Sequence, residues 1–225
     1  MQTPKFLGAA FSLAMLFGIA GTARANIIYD NGGPNTVPPQ TGLPIKSYTT
    51  ADDFTLSSTG TIKSVNFFLQ TDTGIAGWSG TVDYTFFSDV SGVPGSQLAT
   101  GAAQNIVETD TGLKWCCNPE HVYLVDFNLQ NSFTANAGTT YWLQLSDAQG
   151  TSPNVYWVTT AGGAGTSAAF WEGGKSGSYQ MAFSLSDSPV SLATPEPAGV
   201  AVSGMGFAVV ALVARWRKKS ERRQE

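Results

Sequence analysis

The sequence predicts an all-β protein: a single antiparallel two-sheet β-sandwich of jelly-roll-like type, followed by one C-terminal transmembrane helix. Three observations predict the sandwich. Short runs alternate apolar with polar residues, the period of a half-buried strand. The runs are rich in β-branched and aromatic residues and are bounded by Gly, Pro, Asn, Asp or Ser. Between residues 26 and 188 no stretch sustains a 3.6-residue apolar period.

In chain order, Val65, Phe67 and Leu69 alternate with Ser64, Asn66 and Phe68. In Thr81–Phe86, Val82, Tyr84 and Phe86 share one face. Tyr123, Val125, Phe127 and Leu129 form the next row, then Tyr141, Leu143 and Leu145, then Met181, Phe183 and Leu185. The joints read as turns: Asn31-Gly32-Gly33-Pro34, Ser58-Thr59-Gly60, Ser91-Gly92-Val93-Pro94-Gly95, Asn136-Ala137-Gly138, Gly162-Gly163 and Gly173-Gly174. A body of about 165 residues suffices for one core of this kind.

Composition removes several function classes. With 1 His and 2 Cys in 225 residues, a His/Cys metal cluster is not available, and no disulfide framework can be built. Between Asn26 and Thr194 there is no Arg and only Lys46, Lys63, Lys114 and Lys175, against ten Asp and three Glu, a formal charge of 4 − 13 = −9. Such a body cannot make the phosphate contacts that dominate nucleic-acid affinity.

The two ends read as targeting segments. Residues 1–25 carry Lys5, an apolar run Phe6–Ala20 and the small-x-small triplet Ala23-Arg24-Ala25, the pattern of a secretory signal peptide cut after Ala25. The body is expected at 26–188 and a linker at 189–194. Residues 195–225 start with Pro195-Glu196-Pro197, continue as the uncharged apolar stretch 198–214, and end in the tail 215–225 with Arg215, Arg217, Lys218 and Lys219. Seventeen helical residues span about 25 Å, short of a roughly 30 Å hydrocarbon core, and the long basic side chains can snorkel across the difference. The basic cluster holds this end in the cytoplasm.

The order of tripeptide, short small-residue helix and basic end resembles the bacterial PEP-CTERM sorting signal, sometimes called the ice-binding protein C-terminal domain. The name describes an address label and carries no ice-binding face. The resemblance covers residues 194–223. It implies a Gram-negative bacterium that makes exopolysaccharide. It also implies removal of the leader by signal peptidase, transient anchoring in the inner membrane, and cleavage by an exosortase-type enzyme before release to the cell surface or matrix. Ala51-Asp52-Asp53-Phe54 and Asp89–Ser96 further resemble β-sandwich ectodomains of anchored bacterial surface proteins. That likeness bears on the fold and transfers no catalytic residue.

Each candidate site has a bland counterpart. His121 is the one histidine on which an acid–base or nucleophilic constellation would depend; otherwise it is a loop residue. Glu108, Glu120, Glu172 and the aspartates could pair as in a glycosidase, or simply solvate a secreted surface. Asp52 and Asp53, with Asp110, are weak calcium candidates; the alternative for the first two is a turn and a strand start. Trp142 and Trp157 are candidates for stacking a sugar ring, or are core side chains. Cys116 and Cys117 could close a strained ring between neighbours, link two chains or remain free.

The expected function is that of an exported, non-enzymatic surface or matrix protein, structural or adhesive. The alternatives are a carbohydrate-binding module for exopolysaccharide and a secreted hydrolase. No cofactor is expected.

Overall fold

Alternating side chains can satisfy water on one side and a core on the other only if their strands pair, and pairing organises this chain. A computed structural model describes residues 26–36, 41–46, 50–114, 121–147, 154–165, 169–171, 174–175 and 179–191. Within them the chain is all β apart from one 3₁₀ turn at Ile75–Gly77. The strands are β1 (Ile27–Asp30), β2 (Gly42–Pro44), β3 (Thr50–Thr55), β4 (Gly60–Thr71), β5 (Asp83–Asp89), β6 (Pro94–Lys114), β7 (His121–Ala135), β8 (Thr140–Ser146), β9 (Val155–Thr160), β10 (Phe170–Trp171), β11 (Gly174–Lys175), β12 (Gln180–Met181) and β13 (Phe183–Ser186).

Every strand pair is antiparallel. The order is β1-β13-β4-β7-β6-β5-β8-β3-β10-β11, with β9 joining β4 to β2 and β12. The long strand β6 changes partner midway: Pro94–Ala102 lies against β5, and Ala103–Lys114 against β7.

The sheet is strongly curled. Tyr29 of β1 and Phe54 of β3 belong to strands near opposite ends of the order, yet their ring centroids are 5.8 Å apart. Aromatic contacts in fact close a circuit through the core. From Trp157 it passes through Phe67, Phe127, Tyr84 and Phe86, then Phe133, Tyr141, Phe54, Tyr29 and Phe183, and returns to Trp157. Such pairs contribute about 0.5–1.5 kcal/mol each beyond their burial.

Bulges keep the apolar rows aimed inward. Ile62 pairs with Phe133 and Ser64 with Asn128, so Lys63 alone on β4 faces Leu129–Ser132 on β7. The inward row of β4 thereby switches from even to odd positions, and Ile62, Val65, Phe67 and Leu69 are all buried. A second bulge on β6 at Asn105, whose φ is 53°, lets both Ala103 and Ile106 pack on the core.

The alternation read from the sequence is borne out for the rows of Val65, Tyr84 and Val125; the rows of Leu143 and Phe183 are buried as expected, but so are Trp142, Ala182, Ser184 and Ser186 at the positions that alternate with them. Asp52 and Asp53 form neither a turn nor a strand start: they lie inside β3 and are fully buried. No helix among the described residues is long and apolar enough to cross a membrane. The leader with Ala23 and Ala25, Cys116 and Cys117, Pro195-Glu196-Pro197, the expected span 198–214 and the basic residues Arg215, Arg217, Lys218 and Lys219 lie outside the described residues.

Candidate functional site

Odd positions of β7 and β13 point to the core, so their even positions build the outer face. Register places Ser184 of β13, Asn66 of β4 and Asp126 of β7 in one row across three strands. Ser186, Ser64 and Asn128 form the adjacent row. A groove of about 310 Å³ lies over these rows, with Ile27 and Val190 contributing its apolar lining.

One wall of the groove is the chain that leaves the domain. After β13 it crosses back over the sheet. Ser64 Oγ donates to the Ser188 carbonyl at 2.6 Å. The Asn128 amide grips Val190 twice, its Nδ2 donating to the carbonyl at 3.3 Å and its Oδ1 accepting the N–H at 2.5 Å. The first residues of the expected linker are thus strapped to the domain. Its start is tied at the same place: Asn26 Nδ2 donates to Asp187 Oδ2 at 2.9 Å, and the Asn26 carbonyl accepts from Ser186 Oγ and the Asp187 N–H. Hydrogen bonds from Asn26 and Ser188 hold the Asp187 carboxyl below its usual range.

In the row of Ser184, Asn66 and Asp126, neither the Asp126 carboxylate nor the Asn66 Nδ2 has a hydrogen-bond partner among the described residues, and the Ser184 hydroxyl has none either. The Asn66 Oδ1 is occupied, accepting the Ser184 N–H at 3.1 Å, and this fixes the amide with its donor end free. Burial raises the Asp126 carboxyl above its ordinary pKa. The row therefore offers a charged acceptor beside a neutral donor.

The acids proposed for calcium form a different structure. Asp52 Oδ2 accepts from Asn31 Nδ2 at 3.0 Å and from the Met181 N–H at 2.6 Å, while Oδ1 accepts the Asp53 N–H at 3.1 Å. Asn31 Oδ1 in turn accepts from Tyr29 Oη and from the Gly165 N–H. Burial pushes the Asp52 carboxyl well up, against the pull of these N–H donors. Asp52 thus joins β1, β3 and β12 as a buried polar node, its oxygens facing N–H donors. Asp110 is elsewhere, and among the described residues no three His, Cys, Asp or Glu side chains converge for a metal.

His121 begins β7 and shares a 2.7 Å hydrogen bond from Nδ1 with Asp110 Oδ2 on β6. Asp110 also accepts the Gly112 N–H, and its carboxyl is lowered chiefly by His121. The pair stands exposed on the β6–β7 hairpin. Of the acids considered for a glycosidase, Glu108 is exposed on the same strand, with its carboxyl raised by partial desolvation, while Glu120 and Glu172 lie outside the described residues.

Of the two readings for Trp142 and Trp157, sugar stacking or core, the structure gives the buried one. Trp142 and Trp157 are both 0% exposed. Trp142 occupies an outward position of β8 but is covered, its Nε1 donating to Asp89 Oδ1 at 2.8 Å. Trp157 packs on Phe67 and Phe183 and donates to the Ala182 carbonyl at 2.9 Å. Sequence reasoning missed Asp126 and Asn66, because a lone acid or amide at an outward strand position looks like ordinary solvated surface. No family model matches the chain, and no curated protein matches it.

Proposed function

We propose that the protein is exported across the inner membrane of a Gram-negative bacterium, held there transiently by its C-terminal segment, and released to the cell surface or extracellular matrix in a structural or adhesive, non-enzymatic role. The observation that carries this reading is the order of segments. A leader ending in Ala23-Arg24-Ala25 precedes the β domain, and Pro195-Glu196-Pro197, an apolar stretch and a basic tail follow it. The pairing of Asn26 with Asp187 supports it, because the two segments to be removed then meet the domain at one point. Signal peptidase and an exosortase-type enzyme are the processing partners. Exopolysaccharide is the surrounding material.

The curled sheet is read as two packed layers of a jelly-roll-like sandwich. The contact of Phe54 with Tyr29, which joins strands near both ends of the order across one core, supports this reading.

The test is processing in the producing cell. N-terminal sequencing of envelope protein is expected to begin at Asn26, and an intact Met1 overturns the export reading. Replacing Pro195, Glu196 and Pro197 by alanine is expected to trap a larger membrane-bound form. Release at wild-type size overturns the sorting reading.

A further inference from the structure

We infer that the outer-face groove centred on Asp126 and Asn66 binds a neutral saccharide through a pair of adjacent ring hydroxyls. This deepens the adhesive reading and rests on it for the source of the ligand; the chemistry is read from the groove itself.

The first ground is what the groove leaves unpaired. A half-buried carboxylate in an open groove is paired by water, and removing that water without supplying a new partner is costly. Asp126 has no hydrogen bond and no ion pair among the described residues, and burial raises its pKa. Glu108, the nearest acid on β6, points to the other face, towards Gly80. Any ligand that displaces the water reaching Asp126 must bring it a hydrogen-bond donor in exchange.

The second ground is the group beside it. Register sets Asn66 directly opposite Asp126. Its Oδ1 is held by the Ser184 N–H, which turns the Nδ2 donor out as the free end. A cation would be met by N–H hydrogens where it needs oxygen ligands. An anion would meet Asp126 and a body of charge −9. A hydroxyl fits both groups: it donates to the carboxylate and accepts from the amide. Two adjacent hydroxyls do so together, one donating to each Asp126 oxygen while one accepts from Asn66 Nδ2. Hydrogen bonds to a charged acceptor are the stronger kind.

The third ground is the lining. Ser184 supplies a hydroxyl on the floor, while those of Ser64 and Ser186 donate to the Ser188 and Asn26 carbonyls, and Ile27, 53% exposed, gives an apolar edge for the C–H face of a sugar ring. At about 310 Å³ the groove is at the small end of ligand pockets and suits a short stretch of saccharide.

The probes are cellohexaose and mannohexaose, with calcium chloride and hyaluronate as the cationic and anionic comparisons. Each is titrated into the isotope-labelled protein purified from the producing cell. At least one neutral oligosaccharide is expected to shift the Asn66 side-chain amide resonances saturably, and the comparisons are not. Asp126→Asn, which keeps the shape and removes the charge, is expected to weaken that binding roughly ten- to a hundredfold. No shift with either neutral probe overturns the inference. So does the same shift with calcium or hyaluronate, or an undiminished affinity in folded Asp126→Asn. The wild-type titration needs no variant, so a variant that fails to fold leaves the test intact. The processing experiments above do not involve the groove, so failure here and failure of the export reading are separate results.

Discussion

The Tyr84 hydroxyl both donates to the Asn131 carbonyl, at 3.2 Å, and accepts the Asn131 N–H, at 3.0 Å. Asn131 lies in the part of β7 that bulges opposite Lys63, where the ladder between β4 and β7 is interrupted. A fully buried phenol from β5 thus satisfies the backbone that the bulge leaves without a strand partner.

Tyr84→Phe keeps the ring between Phe86 and Phe127 and removes both bonds. Leaving the Asn131 backbone unpaired is expected to cost about 1–3 kcal/mol. Urea denaturation should show a lower midpoint with an unchanged slope.

Asp52 predicts a pH dependence of stability. Its folded pKa is raised, chiefly by burial, above the unfolded value of about 3.9. Its contribution is therefore fully present below the unfolded pKa and is lost as pH rises through the folded one. Thermal unfolding as a function of pH should show this decline beginning near pH 4, and Asp52→Asn should flatten it.

Two neighbouring glycines should behave oppositely. A Cβ on Gly163 would lie 2.7 Å from the Gln180 Cβ and 2.9 Å from Asn31 Oδ1, whereas one on Gly162 would meet nothing within 4 Å. Gly163→Ala is expected to destabilise the fold by about 1–3 kcal/mol through overpacking. Gly162→Ala should stay within about 0.5 kcal/mol of wild type. Parallel denaturation curves decide it.

The Asp110 carboxyl is lowered by the hydrogen bond from His121. Its carboxylate ¹³C resonance should titrate below the ordinary aspartate range, and His121→Ala should bring it back up. A depressed folded pKa supports the folded state above the unfolded value and withdraws that support as pH falls through the folded one.

Much of the fold was legible because alternation reports which side of a strand is buried. Val65-Phe67-Leu69 and Val125-Phe127-Leu129 follow that rule, with less buried residues between them. The switch from Ile62 to Val65 was not legible, since it depends on a bulge that a long-range partner strand completes. Asp52 looked like turn chemistry because its partners Asn31 and Met181 are distant in sequence. Parity left Trp142 open as a stacking candidate or a core side chain; the Asp89 carboxylate that accepts its indole N–H comes from another strand. The groove was invisible for the same reason: Ser184, Asn66 and Asp126 become neighbours only through register.

The hold of Asn128 on Val190 determines where the domain hangs. The chain departs at the rim of the groove, and the domain's first residue is fastened alongside. On any surface to which the segment after Ser191 tethers this chain, the groove lies next to the point of attachment. A polymer gripped there would run close to the surface instead of being held at arm's length from it.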